Sequence, residues 1–459
     1  FPSCTFLFYT NWSENASFST ICLRLHFSFL KIQSVDLAFF LGFTKKSDIM
    51  VRLSTTVLIR FQGEFMKKVA IVSAFRSAIG SFGGSLKDIN IAELGAQVLE
   101  AALQNKQIPA DVVDEVIFGN VLSAGHGQNI ARQIALRAGI PDTTSAYVVN
   151  KVCGSGLKSV LLAAQSILLG DNDVVVAGGI EIMSQAAYLS KSSRFGSKFG
   201  HITLEDSMLK DGLTDAFNDY HMGITAENVA ERYHVSREEQ DAFARTSQEK
   251  AAKAIAEGRF TEEIVPIRLN SRKGETIFAT DEYPRLTPIE KLAILRPAFK
   301  KDGTVTAANA SGINDGCAVL VLMSDEKASE LNIQPLAYIE AYATSGLNPA
   351  LMGLGPITAS QKALQKLNKT VEDIDLFELN EAFAAQSIPV VKQLGIDPAK
   401  VNVNGGAIAL GHPIGASGSR ILVTLIHELI KQNKELGLCS LCIGGGQGIS
   451  LIISNAQTN

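Results

Sequence analysis

Val148-Val-Asn-Lys-Val-Cys-Gly-Ser-Gly-Leu-Lys-Ser-Val160 decides how this chain is read. A β-branched apolar run leads to a single cysteine, Cys153, and two glycines bracket Ser155. Apolar residues then recur at helical spacing: Leu157, Val160, Leu161, Ala164, Ile167 and Leu168. The order predicts a strand ending at Cys153, a sharp turn and a helix. A thiol so placed sits at the positive end of the helix, where unpaired N–H groups favour the thiolate. Gly154 and Gly156 offer no side chain to shield the sulfur, which suits an approachable nucleophile. The same small residues also suit a buried cysteine packed in a core turn.

Around this stretch, short apolar strands alternate with helix-period segments. Val69 to Ala74 reads as a strand, Ile91 to Gln104 as a helix and Glu115 to Phe118 as a strand. A glycine-rich loop, a helix from about Ile130 to Ala138 and a strand from Asp173 to Ala177 complete the unit. Such alternation predicts an α/β fold with a mostly parallel sheet and helices on its faces. From about Gln185 to Ala310 charge density rises and strands become rare, and a long polar-faced helix runs from Arg237 to Glu257. This reads as a large inserted loop domain, and long excursions from a scaffold usually bind something.

After Ala337 the first pattern returns. Leu336-Ala-Tyr-Ile-Glu-Ala-Tyr-Ala343 echoes the first strand, and Ile414-Gly-Ala-Ser-Gly-Ser-Arg-Ile-Leu422 echoes the stretch that starts at Cys153. Leu441-Cys-Ile-Gly-Gly445 echoes Val175-Val-Ala-Gly-Gly179. The displacement is roughly 260 residues throughout, the mark of a duplication. Two like halves predict a pseudo-twofold, with the turns before equivalent helices facing each other across the seam.

Composition narrows the function classes. The 459 residues carry a formal net charge of −4 and no basic block, so neither nucleic acid nor an anionic membrane is expected as a partner. The six cysteines are scattered, with neither disulfide-scaffold density nor metal-ligand spacing. A reducing, cytoplasmic setting and no metal are expected. Residues 1–65 differ from the rest: they hold Trp12, the only tryptophan, and about half of the phenylalanines, without sustained period. They are expected to be a non-native or disordered extension, with the natural start at Met66. The sequons at Asn11 and Asn15 are then accidental. A mature peptide upstream of Met66 would contradict this.

The second half adds three polar stretches at loop-like positions: Asn380-Glu-Ala-Phe-Ala384, Gly405-Gly-Ala-Ile-Ala-Leu-Gly-His-Pro-Ile-Gly-Ala-Ser-Gly418 and Cys442-Ile-Gly-Gly-Gly446. Each has an ordinary reading, a polar histidine at His412, a core cysteine at Cys442, or a helix cap at Asn380 and Glu381. Together they supply what carbon–carbon bond formation between two thioesters requires. Cys153 can hold an acyl group, His412 can take the thiol proton, and Cys442 can serve as base and then acid. The N–H groups of Cys153 and Gly444 can form one oxyanion hole, and His412 with a water on Asn380 the other.

On these motifs, with Asn150-Lys-Val-Cys-Gly-Ser-Gly156 and Asn402-Val-Asn-Gly-Gly406, the chain from Met66 to about Ser454 resembles the thiolase family, most closely its biosynthetic acetyl-CoA acetyltransferase branch. The resemblance implies duplicated αβαβα layers, an N-terminal half over 66–325 with its loop domain at about 185–310, and a C-terminal half over 334–455. It implies acetyl-CoA, acetoacetyl-CoA and CoA as substrates and products, no cofactor, and a homodimer or homotetramer. Coenzyme A contacts are implied at Leu213, His221, Met222, Arg285, Ala307, Ser311 and Ile313, with Met352, Ala382 and Phe383 at the acyl end. The His221-Met222 pair is expected to narrow that end. The stretch Arg285 to Leu292 is a residue shorter than in relatives that place a serine against the adenine. A longer-chain 3-ketoacyl-CoA thiolase is the nearest alternative. Carrier-protein synthases pair their cysteine with two histidines, where this chain has Asn380 and Cys442. A non-catalytic acyl-CoA-binding protein would leave the reactive thiol unexplained.

Overall fold

The computed structural model describes residues 68–272 and 274–458, together with the backbone of four strands nearer the N-terminus. Those four, Thr5–Thr10, Phe18–His26, Val35–Gly42 and Ser54–Leu58, pair antiparallel in sequence order within a unit of their own, Phe1–Lys67. The short alternation Ile21, Leu23, Leu25 was the available strand signal. Asn11, Trp12 and Asn15 lie outside the described residues.

From residue 68 onward the duplication is explicit. The first half contains β1 (Val69–Ser77), α1 (Ile91–Asn105), β2 (Glu115–Gly119), α2 (Ile130–Arg137), β3 (Ser145–Val149), α3 (Ser155–Leu169) and β4 (Val174–Ile182). The loop domain follows, with α4 (Met222–Tyr233), α5 (Arg237–Ala256) and the two-residue strand β5 (Ile264–Val265). The chain re-enters the first half as β6 (Asn314–Ser324). The second half runs β7 (Ala337–Gly346), α6 (Gly355–Lys366), β8 (Leu376–Leu379), α7 (Ala384–Leu394), α8 (Ala407–Leu410), α9 (Ser417–Lys431), β9 (Leu436–Ile443) and β10 (Gln447–Asn455).

The main sheet has 11 strands, in the order β8-β9-β10-β7-β1-β6-β4-β2-β3, with β5 and Gly80–Ser81 attached at β1 and β6. It is mixed, which corrects the mostly parallel expectation. In the first half β1–β6 and β6–β4 are antiparallel while β4–β2 and β2–β3 are parallel. The second half repeats the scheme: β7–β10 and β10–β9 antiparallel, β9–β8 parallel, and a parallel bridge between Phe377 and Val401. Side-chain alternation reports burial on each face but not the direction of the neighbouring strand, so the last strand of each half escaped a sequence reading. The halves join where β7 pairs β1, Ala337 with Ile71 and Tyr338 with Ala70.

Three apolar layers fill the spaces around the sheet. One core packs α1 and α2 on the first half through Leu94, Val98, Leu99, Ile130 and Ile134. A second packs α6 and α7 on the second half through Ala363, Leu364, Val390 and Val391. Between the halves lie α3 and α9, with Leu157, Val160, Leu161, Ile421, Leu422 and Leu425 buried. Each such side chain contributes about 1.5–3 kcal/mol when fully buried. The layers read α, β, α, β, α, as the resemblance implied.

α3 and α9 cross at their first turns, and glycine makes the crossing possible. A Cβ on Gly418 would lie 2.3 Å from the Leu157 nitrogen, and one on Gly156 would lie 2.7 Å from Ser419 Oγ. A Cβ on Gly179 of β4 would lie 2.3 Å from the Gly415 carbonyl oxygen. Gly418→Ala puts a methyl into the backbone of the facing helix and is expected to cost about 1–3 kcal/mol, read as a lower urea midpoint. An unchanged midpoint would mean the helices do not cross this closely in solution.

Candidate active site

The loop between β3 and α3 is wound tightly by its own polar groups. Asn150 Oδ1 accepts from the Val152 N–H at 2.9 Å, Ser155 Oγ accepts from the Lys151 N–H at 2.8 Å, and Ser155 Oγ donates to the Val152 carbonyl at 2.6 Å. Val152 is thereby held at φ +48°, a costly conformation for a β-branched residue. The strand ends at Val149, not at Cys153 as the sequence suggested, because residues 150–154 are spent on this turn. The glycines also serve differently. A Cβ on Gly154 would lie 2.5 Å from Ile443 Cδ1, so the residue is needed for packing rather than for opening a path to the sulfur.

Cys153 is 5% exposed, at the start of α3. Burial pushes its thiol up to about 11, even though hydrogen bonds from the backbone at Gly444 and Cys153 act in the opposite direction. The thiolate expected from the helix dipole is therefore not the resting form; desolvation outweighs the dipole. Gly444, in the turn after β9, is confined by Met222: a Cβ there would lie 2.1 Å from the Met222 methyl.

His412 lies in the loop that feeds α9, as Cys153 lies in the loop that feeds α3. Gly411, at φ +111°, lies against the Asn314 side chain, and Asn314 Oδ1 accepts from the His412 N–H at 3.0 Å. Glu181 secures the other end of the loop, accepting from Gly415 N–H at 2.8 Å as well as from Val121 N–H and Leu122 N–H, both at 3.0 Å. The imidazole Nδ1 is 2.5 Å from Ser417 Oγ, and that hydroxyl donates to the Pro413 carbonyl at 2.9 Å. With its one proton committed, Ser417 Oγ accepts, so Nδ1 carries hydrogen and Nε2 presents a lone pair. Nε2 faces Asn380 Nδ2 at 3.5 Å. Burial, with Arg420 nearby, lowers the imidazole to about 4, which keeps it neutral and able to accept a proton.

Asn380 follows β8 and is 2% exposed; its Oδ1 has no protein partner. Neither Asn380 nor Glu381 caps the next helix, which starts after Phe383. Glu381 is a tie: it accepts from Ser247 Oγ at 2.7 Å, Asn402 Nδ2 at 2.8 Å and Ile408 N–H at 3.2 Å, joining α5 to the segment leading to His412. Cys442, on β9, is fully buried; burial and the neighbouring Cys153 both raise its thiol. Gln386 Oε1 lies 4.0 Å from its sulfur.

A cavity of about 600 Å³ opens onto Cys153 and His412. All ten residues expected at the substrate line it: Leu213, His221, Met222, Arg285, Ala307, Ser311, Ile313, Met352, Ala382 and Phe383. Asn380, Cys442 and Gly444 sit behind that lining. Sequence reasoning missed Phe299, which stacks on His221 at 4.6 Å between centroids, and Tyr283, which sits beneath the Arg285 guanidinium at 5.6 Å. It also missed Asn314 and Glu181, whose roles depend on contacts across the duplication, and Ser417, whose hydroxyl acts within the loop that carries His412. Among the described residues no group of three His, Cys, Asp or Glu side chains is placed to hold a metal ion.

The arrangement can carry an acyl group on one thiol and move protons with an imidazole and a second thiol. A duplicated α/β fold with this pair of turns defines an acyl-transfer enzyme. The chain belongs to the thiolase family: the thiolase N-terminal domain matches residues 69–326 and the thiolase C-terminal domain residues 333–455. A probable acetyl-CoA acyltransferase of Staphylococcus aureus is 56% identical over 391 residues, 85% of this chain and 99% of the relative. A Staphylococcus epidermidis protein described in the same words is 56% identical over 394 residues, covering 85% of this chain and all of the relative. The crystal structure of the Bacillus anthracis acetyl-CoA acetyltransferase superposes with a TM-score of 0.83 at 48% identity, and human mitochondrial 3-ketoacyl-CoA thiolase with 0.83 at 44%. Each covers 85% of this chain and 99% of the other.

The lowered imidazole has a direct consequence. Transfer of labelled acetyl from acetyl-CoA to the protein is expected to keep its rate as pH falls through 6.5 and to decline only toward about 4, where the imidazole gains its proton. Single-turnover labelling across this range checks it; a decline centred near 6.5 would contradict a buried, neutral His412.

Proposed function

We propose that this thiolase is an acetyl-CoA C-acetyltransferase, which condenses two acetyl-CoA to acetoacetyl-CoA and CoA through an acetyl-Cys153 intermediate and also runs in reverse. The observation that carries the reading is Met222, pressed against Gly444 beside Cys153. With Met352, Ala382, Phe383 and Cys442 it belongs to one apolar cluster, which supports the reading of a short acyl end.

In the proposed cycle His412 Nε2 takes the Cys153 proton as the sulfur attacks the first thioester, and the N–H groups of Cys153 and Gly444 meet the oxyanion. Cys442 gives its proton to the departing CoA sulfur and becomes a thiolate. That thiolate removes an α-proton from the second acetyl-CoA; His412 and a water on Asn380 are assigned to the enolate oxygen. The enolate attacks the acetyl carbonyl and expels the Cys153 sulfur, which recovers its proton from His412. Thioesters are substrates here, and the cycle needs no resident cofactor. The CoA body is assigned to Leu213, His221, Arg285, Ala307, Ser311 and Ile313.

Likeness to the human 3-ketoacyl-CoA thiolase supports a second reading, a broader chain length on the same machinery. In the thiolysis direction kcat/KM is expected to be at least tenfold higher for acetoacetyl-CoA than for 3-ketooctanoyl-CoA, roughly 1.4 kcal/mol of discrimination, and Met222→Ala is expected to reduce that ratio. Equal or inverted specificity in the unaltered enzyme would favour the second reading.

A further inference from the structure

The geometry points to a second binding site, for an aliphatic carboxylate, where α5 of the loop domain lies against the second half of the fold. Two cavities adjoin there, with Lys250 on the wall of both. One, of about 380 Å³, is walled mostly by apolar side chains, among them Phe243, Ile388, Val391, Ala399 and Val401, with Glu381 and Lys392 also on its wall. That volume lies within the range of small-molecule pockets, and the walls are suited to a hydrocarbon chain. The other, of about 280 Å³, is polar and lined by Lys250, Lys253, Glu257, Arg259 and Asn404.

The charges in the polar cavity are unevenly matched. Arg259 pairs with the buried Glu428, and Lys253 lies 3.8 Å from Glu257. Lys250 donates to the Val401 carbonyl at 2.8 Å, and among the described residues no carboxylate lies within ion-pair distance of it. Asn404 is 4% exposed, lines the same cavity, and its amide nitrogen has no acceptor. A buried donor without an acceptor, and a half-buried cation on which the buried carboxylates Glu381 and Glu378 act only from beyond ion-pair distance, each cost free energy that an anion would recover. A carboxylate between Lys250 and Asn404 satisfies both, and its chain then has the adjoining apolar cavity to enter. The site is separate from the one opening onto Cys153: Lys250, Asn404 and Val391 do not line the larger cavity.

The inference goes beyond the acetyltransferase reading and is tested apart from it. Octanoate is titrated calorimetrically into the full chain, with and without saturating CoA to fill the first cavity. One equivalent is expected to bind under both conditions. Lys250→Met, which keeps the side-chain stem, and Ala399→Trp, an exposed position at the cavity wall, are each expected to weaken binding about tenfold or more while leaving thiolysis intact. Inorganic phosphate is not expected to displace the octanoate. Absence of binding, binding abolished by CoA, or unchanged affinity in both variants would overturn the proposal. Displacement by phosphate would overturn the assignment to a chain-bearing ligand.

Discussion

Everything at the centre of this molecule depends on two helices meeting where neither has room for a Cβ. α3 and α9 are equivalents in the two halves, and Gly156 and Gly418 are equivalent positions at their first turns. The close approach brings two helix N-termini, and the loops feeding them, to one place. It also seals that place. Cys153, His412, Asn380 and Cys442 are all nearly or fully buried, so their chemistry proceeds at low dielectric. Desolvation keeps the resting thiols and the imidazole neutral, and donors fixed by the backbone then act on charge where it develops.

Holding loops at such a crossing requires internal polar ties. Glu181 reaches from the first half to Gly415, Asn314 fixes the backbone of His412, and Glu381 joins the loop domain to Asn402 and Ile408. Arg76 does the corresponding work at the root of the loop domain, bonding Glu263 at 2.6 Å and Asp281 at 2.8 and 2.9 Å while fully buried. Such pairs are weak sources of net stability, but removing one partner strands a charge at a cost of roughly 3–5 kcal/mol. They specify where the loops lie more than how stable the chain is.

Much of this was legible in the sequence because hydrophobic period and small-residue turns are local signals. The strand-helix alternation and the duplication could be read from spacing and motif, whereas the residues lining the cavity at Cys153 followed only from the resemblance to the thiolase family. Strand direction could not, since β6 and β10 bury both faces whichever way they run. The protonation state of Cys153 was misjudged for a related reason: the helix dipole is visible in the sequence, whereas the burial that outweighs it exists only once the chain is folded. Ser417 illustrates the same limit. It reads as one more small residue in a helix start, and only the geometry shows that its hydroxyl, by donating to Pro413, decides which imidazole nitrogen of His412 holds the proton.

The central claim is that the two facing turns form one acyl-transfer site in which one sulfur carries the acetyl group and the other moves the proton. Cys442→Ala separates these roles. With labelled acetyl-CoA this variant is predicted to take up one acetyl equivalent, more slowly because the departing CoA sulfur has lost its acid, located by peptide mapping on Cys153, and to form essentially no acetoacetyl-CoA. Label found elsewhere, or condensation at an undiminished rate, would contradict the account.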